Sequence, residues 1–344
     1  MSLGLVLGLG VTAGLIATAG AAGALAKARL RARYQPPGRM VDVGGCRLHL
    51  ECVGDGPTVV LESGLGAEAA LSWVLVRPQV AKFARVCSYD RAGYGWSDAS
   101  PRPRTAGVMV EELRSLLTAA EVPPPYVLVA HSFGGLVSRL YAATHPEEIA
   151  GLVLVDSAHE DQMERFPQEV VATVDLQKML KMMSALGRVY STGIPALFYK
   201  RLPLQAPLPE PAARTARALL ARGGRGMATL VAEQRALEES QDQVRAASGL
   251  GELPLVVLSH GRPAPLPRDP AITPEVERRY EEVWQELQAE LAALTPKGEL
   301  VVAAESGHAI QLDQPDLVVD AIRRVVEAAR AEAAGTAPRA GRKE

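Results

Sequence analysis

Short runs in which nearly every residue is apolar recur along this chain, each closed by glycine, proline or a charged cluster. Thr58-Val59-Val60-Leu61-Glu62, Tyr126-Val127-Leu128-Val129-Ala130, Ile149–Val155 and Leu253–Ser259 are the clearest. Runs this short and this uniformly apolar predict strands buried on both faces, the signature of a parallel sheet. Ala84–Tyr89 and Glu299–Ala304 predict two more strands. Met40–Val43 and Cys46–Val53 alternate around Gly44-Gly45 and predict a β-hairpin. Between the runs the period changes to that of a helix. Thr105 is placed as an N-cap before Val108, Met109, Leu113, Leu116 and Leu117. Val276, Tyr280, Val283, Trp284, Leu287, Leu291 and Leu294 mark a second amphipathic helix. Strands alternating with helices place the chain in the α/β class, with a mostly parallel central sheet flanked by helices.

The alternation stops between the sixth strand and the strand at Leu253. Residues 157–251 hold helical spacing over Val170–Leu186 and Ala213–Leu237, broken by prolines, and no strand run. They predict a helical insertion between core segments 40–156 and 252–334. Leu3–Ala26 carries no charge, and Lys27, Arg29, Arg31 and Arg33 follow it. A span of this length exceeds the ~20 residues that cross a bilayer. A single N-terminal transmembrane helix over segment 1–34 is therefore expected, with a cleaved signal peptide or a buried helix as alternatives. The basic flank would place the remainder of the chain on the cytoplasmic side; secretion after cleavage is the alternative. Gly335–Glu344 is expected to be a disordered tail.

The formal net charge of −2 gives no electrostatic case for nucleic-acid binding. The three cysteines are Cys46, Cys52 and Cys87, and an odd count without a pattern argues against a disulfide framework. Free cysteines suit the cytoplasmic placement. No spacing of metal ligands occurs, so no metal and no cofactor is expected.

The chemistry concentrates where Tyr126–Ala130 gives way to a helical pattern beginning near Phe133. Ser132 falls on the strand-to-helix turn, which would expose its hydroxyl and aim backbone N–H groups at the same point. The stretch Ala130-His131-Ser132-Phe133-Gly134 resembles the nucleophile elbow of the α/β-hydrolase fold, with Ala130 where glycine is usual. Asp90-Arg91-Ala92-Gly93-Tyr94-Gly95-Trp96-Ser97-Asp98 resembles another loop of that family. So does Gly307-His308, followed by Asp313 and Pro315, which resembles its histidine loop. The three motifs occur in the family's order, and the resemblance covers residues 40–334; it implies that segment 157–251, inserted after the sixth strand, is a helical cap over the active site.

That resemblance implies a serine hydrolase acting through an acyl-enzyme. Ser132 is the nucleophile and His308 the base. The acid is expected at Asp156, directly after the sixth strand, with Asp269 as the alternative and Asp161 or Glu160 behind it. The usual place for the acid, after Ser259, reads His260-Gly261-Arg262 and offers no carboxylate. The oxyanion hole is expected from the N–H groups of Leu65 and Phe133. His131, Trp73 and His159 are candidates for lining the substrate pocket. His49, His145 and His260 are read as structural, as are Asp90 and Arg91.

A serine hydroxyl needs a base and an oxyanion hole to act as a nucleophile, and this set supplies both. A small-molecule or lipid-like carboxylic ester is the expected substrate. Amides, thioesters and C–C bonds are alternatives on the same residues. Epoxide hydrolysis and dehalogenation are disfavoured, because those relatives carry aspartate at the position of Ser132. A non-catalytic binding protein of this fold is the alternative from another class. Nothing in the sequence fixes the oligomeric state.

Overall fold

The computed structural model describes residues 3–204, 207–222, 224–247 and 249–336. Eight strands form one sheet: β1 (Arg39–Asp42), β2 (Arg47–Val53), β3 (Thr58–Glu62), β4 (Arg85–Tyr89), β5 (Tyr126–His131), β6 (Ile149–Val155), β7 (Leu255–His260) and β8 (Gly298–Ala303). Their order is β1-β2-β4-β3-β5-β6-β7-β8. The hairpin is antiparallel, with Asp42 opposite Arg47, and β2 joins β4 antiparallel; every later pairing is parallel. Strands β3, β5 and β7 are buried along their whole length, as strands covered by helices on both faces must be.

Two hydrophobic layers enclose the sheet. On one face Leu113, Leu116 and Leu117 of α2 (Ala106–Ala119) pack with Leu136, Val137 and Leu140 of α3 (Gly134–Thr144). Thr105 caps α2 by accepting from Val108 N–H. On the other face Val76 and Val80 meet Val318, Ile322 and Val326 of the C-terminal helix, which runs from Pro315 to Thr336. Residues 337–344, most of the expected tail, lie outside the described residues.

Between β6 and β7 the chain is helical. Its longer helices are α4 (Leu176–Ser191), α5 (Glu210–Ala221), α6 (Arg225–Arg235) and α7 (Leu237–Arg245). After β7, α8 (Pro274–Ala292) returns to the sheet, its start capped by Thr273.

Two expectations change here. Leu3–Arg33 is one helix, but among the described residues no helix is long and apolar enough to cross a membrane. The side chains of residues 1–17, most of the expected span, lie outside the described residues. The last turns of this helix lie on protein: Leu30 is buried with Ala196, Ala218 and Ala221, and Lys27 Nζ donates to Ser191 O at 3.1 Å. Second, Cys52 and Cys87 form a disulfide. The antiparallel register of β2 and β4 sets them opposite each other, with Cα atoms 4.0 Å apart. Cys46 remains free. Disulfides persist in oxidising compartments, so the cysteine argument for a cytoplasmic domain falls away.

Candidate active site

Strand β5 runs through the middle of the sheet, between β3 and β6, and delivers Ser132 to its carboxyl edge. Ser132 has φ of 52°, a conformation that a non-glycine residue adopts only under tertiary constraint. The constraint is visible: Ser132 N–H donates to Val155 O at 3.1 Å, and Ser132 O accepts from Gly135 N and Ala158 N. The chain turns at once into α3. Gly134 and Gly135 permit this approach. A Cβ on Gly134 would stand 2.7 Å from Ser63 O, and one on Gly135 would stand 2.8 Å from Ser157 Cβ.

Strand β6 ends beside the elbow and places Asp156, also at positive φ (44°), next to it. The carboxylate is fully buried and accepts four kinds of donor. His308 Nδ1 reaches Oδ2 at 2.6 Å, His260 Nδ1 reaches the same oxygen at 2.8 Å, and His260 N–H and Trp284 Nε1–H reach Oδ1 at 3.0 and 2.9 Å. Burial alone would raise the carboxyl pKa. The hydrogen bonds from His260 and His308 outweigh it and hold Asp156 well below the usual carboxylate range.

His308 lies on the loop after β8. Gly307 N–H donates to Asp313 Oδ2 at 3.0 Å, and Ser306 Oγ reaches the same oxygen at 3.3 Å. That bracing is the physical content of the Gly-His…Asp spacing. The His308 side chain is 47% exposed, so its second nitrogen is open to a reactant. Among the described residues no hydrogen bond joins Ser132 Oγ to His308; in sites without substrate this contact is commonly loose and tightens in the complex. His131 Nε2–H donates to His308 O at 2.9 Å, and the two rings lie 4.7 Å apart. Burial first, then the charge of His308, pushes His131 down to about 3, so it stays neutral.

The loop after β3 closes the other side. A Cβ on Gly64 would lie 3.3 Å from Ser132 Cβ. Among the described residues, neither Leu65 N–H nor Phe133 N–H donates within the turns and loops. Arg91 holds this loop from beneath. Its Nη1 donates to Ser63 O (2.5 Å) and Glu62 Oε1 (2.6 Å), and its Nη2 to Gly64 O (2.9 Å). Its Nε meets Glu233 of α6 at 3.1 Å, and Tyr94 Oη donates to the same carboxylate. Core loop and cap helix thus share one buried cation.

The remaining sequence candidates fall elsewhere. Asp269 is exposed and caps its own turn through Ala271 N–H. Glu160 is held by Arg139 and Asp161 by Arg245. Trp73 is fully buried in the layer that holds Leu61, Val76 and Val80. His159 stands among Glu160, Asp161 and Glu290, at 3.6–4.0 Å, and contacts neither His308 nor Asp156. The sequence reads His260 as structural and Trp284 as an apolar helix position, and ties neither to Asp156, which both contact. The signal for His260 was its place, directly after β7, where a carboxylate is usual. Among the described residues no cluster of His, Cys, Asp and Glu could hold a metal ion.

The model of the alpha/beta hydrolase family matches residues 59–321. The chain belongs to that family. It is 29% identical over 296 residues to the protein YqjL of Bacillus subtilis, an alignment covering 85% of this chain and 93% of YqjL. Among solved structures it resembles a thermophilic esterase from Thermogutta terrifontis (TM-score 0.58, 22% identity, 85% of this chain and 98% of that one). It also resembles a putative epoxide hydrolase from Pseudomonas aeruginosa (TM-score 0.64, 18% identity, 85% and 96%). Both structural likenesses speak to the fold of this hydrolase-family chain.

Proposed function

We propose that this hydrolase-family protein cleaves a carboxylic ester, with Ser132 as nucleophile, His308 as base and Asp156 as acid. The observation that carries the reading is the 2.6 Å contact from His308 Nδ1 to Asp156, on turns that flank the strained Ser132. A serine at the elbow also favours acyl chemistry over the alkyl chemistry of epoxide hydrolysis.

In the proposed reaction the Nδ1–H of His308 stays on Asp156, which leaves Nε2 as the acceptor for the Ser132 proton. Ser132 Oγ attacks the acyl carbonyl. The N–H groups of Leu65 and Phe133 receive the oxyanion, an interaction of ~3 kcal/mol per donor in comparable sites. His308 returns its proton to the leaving alcohol, and water then releases the acid from Ser132 by the same steps. His131 serves as a neutral brace for the His308 loop. The helical segment 157–251 covers the site and shapes the acyl pocket.

The test is a pre-steady-state assay with p-nitrophenyl esters of graded chain length. A burst of p-nitrophenol equal to the enzyme concentration supports an acyl-enzyme. Turnover of thioesters or amides with no turnover of esters would transfer the reading to those bonds.

A further inference from the structure

Between cap and core lies a cavity of about 770 Å³. Leu65 and Gly66 line it; Ser132 and His308 do not, but the loop that carries Leu65 abuts Ser132 through Gly64. Met179 and Met183 of α4 and Met227 and Leu230 of α6 supply apolar lining. Another part of the lining is cationic. Lys27 and Arg31 of the N-terminal helix meet Arg222 and Arg225, which flank the start of α6.

The charge there is unbalanced. The lining holds five cations, the fifth being Arg47, against two carboxylates, Glu68 and Asp98. Asp98 is already engaged by Arg47 at 2.9 Å. Burial pushes Glu68 up to about 7, which quenches part of its charge near neutrality. Among the described contacts, three of the other cations reach backbone carbonyls, Lys27 at Ser191 O, Arg222 at Tyr34 O (3.5 Å) and Arg225 at Gly95 O (3.4 Å), and Arg225 also lies within reach of the charges of Asp98 and Asp90. Burial, reinforced by the nearby charges of Arg31 and Arg225, lowers Arg222 to about 10. Cations that outnumber their counter-charges destabilise one another, and an anion seated between them relieves that cost. A purely structural cluster would carry its own carboxylates, as Arg91 does with Glu62 and Glu233.

We propose that this cavity receives the far end of an anionic, amphiphilic ester. The acyl carbonyl sits at Ser132, an apolar chain runs along Met179, Met183, Met227 and Leu230, and a carboxylate or phosphate is held by Arg222 and Arg225 with Lys27 and Arg31. This deepens the esterase reading and rests on Ser132 as its nucleophile.

The experiment has two arms. In the first, kcat/KM is measured for a p-nitrophenyl monoacid ester, for the ester of equal length ending in a carboxylate, and for one ending in a phosphate. The ratio of charged to neutral ester exceeds one in wild type. It falls about tenfold in Arg222→Ser/Arg225→Ser, as loss of a charge-assisted hydrogen bond implies, and recovers in Arg222→Lys/Arg225→Lys. The better of the two charged esters tells carboxylate from phosphate. A wild-type ratio at or below one, or a ratio unmoved by the serine variant, overturns the proposal. In the second arm, calorimetry measures decanoate, decyl phosphate and decanol binding to Ser132→Ala. Anions that bind at least about tenfold tighter than decanol support the site without any catalysis. Equal binding overturns it. Anion binding without ester turnover by wild type would leave the site standing and sink the esterase reading.

Discussion

His260 and His308 bind the same carboxylate: their Nδ1 atoms stand 2.8 and 2.6 Å from Oδ2 of Asp156. The two rings are held differently. His260 is buried and donates from its other nitrogen toward Glu281 at 3.0 Å, whereas His308 opens to the site. One histidine fixes the acid, and the acid orients the other.

Asp156→Asn should therefore lower kcat about 10³- to 10⁴-fold, because an amide cannot hold His308 in the tautomer that accepts from Ser132. Asp269→Asn should turn over at the wild-type rate. Steady-state kinetics on one ester check both. A wild-type rate in Asp156→Asn would remove the acid from this position.

Two of the buried histidines, His260 and His131, give the pH dependence of stability a definite sign. His260 is raised to about 9, since its bonds to Asp156 and Glu281 outweigh desolvation. A raised histidine stabilises the folded state fully below the unfolded pKa of ~6.5 and loses that contribution as pH rises through 9. His131, lowered to about 3, acts in the opposite direction: its contribution is present above ~6.5 and is lost as pH falls toward 3. Urea midpoints of wild type should fall between pH 6.5 and 9.5, and His260→Gln should flatten that slope. An equal slope in the variant would contradict the assignment.

Arg91 carries a structural prediction. Its side chain is 3% exposed and neutralises Glu62 and Glu233, so Arg91→Met leaves two buried carboxylates uncompensated. A loss of about 3–5 kcal/mol is expected in urea unfolding. Arg278→Ala, on an exposed helix pair, should leave the urea midpoint close to that of wild type. Similar losses in the two variants would show that the Arg91 network is not integral to the fold.

The pairing of Cys52 with Cys87 predicts one reactive thiol, Cys46, in unfolded, unreduced protein and three after reduction. Thiol titration in denaturant reads this directly. Closing a loop across 35 residues should add roughly 3–4 kcal/mol, lost on reduction. Three thiols before reduction, in protein made under oxidising conditions, would contradict the pairing.

Much of this architecture was legible in the sequence, because its signals are local. The apolar runs at Thr58–Glu62, Tyr126–Ala130 and Ile149–Val155 became β3, β5 and β6, and the Gly44-Gly45 turn joined β1 to β2. Ser132 lies on the strand-to-helix turn that the sequence predicts, and His308 on the loop after the last strand. What escaped depends on register and on long-range packing. Cys52 and Cys87 meet only because β2 runs antiparallel to β4, a pairing that no spacing reveals. Trp73 looked like a pocket residue beside a glycine loop, yet the helix–sheet layer claims it. His260 and Trp284 reach Asp156 from β7 and α8, more than a hundred residues away. Apolar composition suggests a bilayer span over Leu3–Ala26; among the described residues no helix is long and apolar enough to cross a membrane, and the turns after that stretch pack through Leu30 against Ala196, Ala218 and Ala221.

The central claim is that Ser132 is the nucleophile, and labelling with a fluorophosphonate probe tests it most directly. Folded wild type should label in a 1:1 ratio, with the added mass on the peptide containing Ser132, and Ser132→Ala should not label. Labelling that persists in Ser132→Ala, or folded wild type that fails to label, would contradict the account.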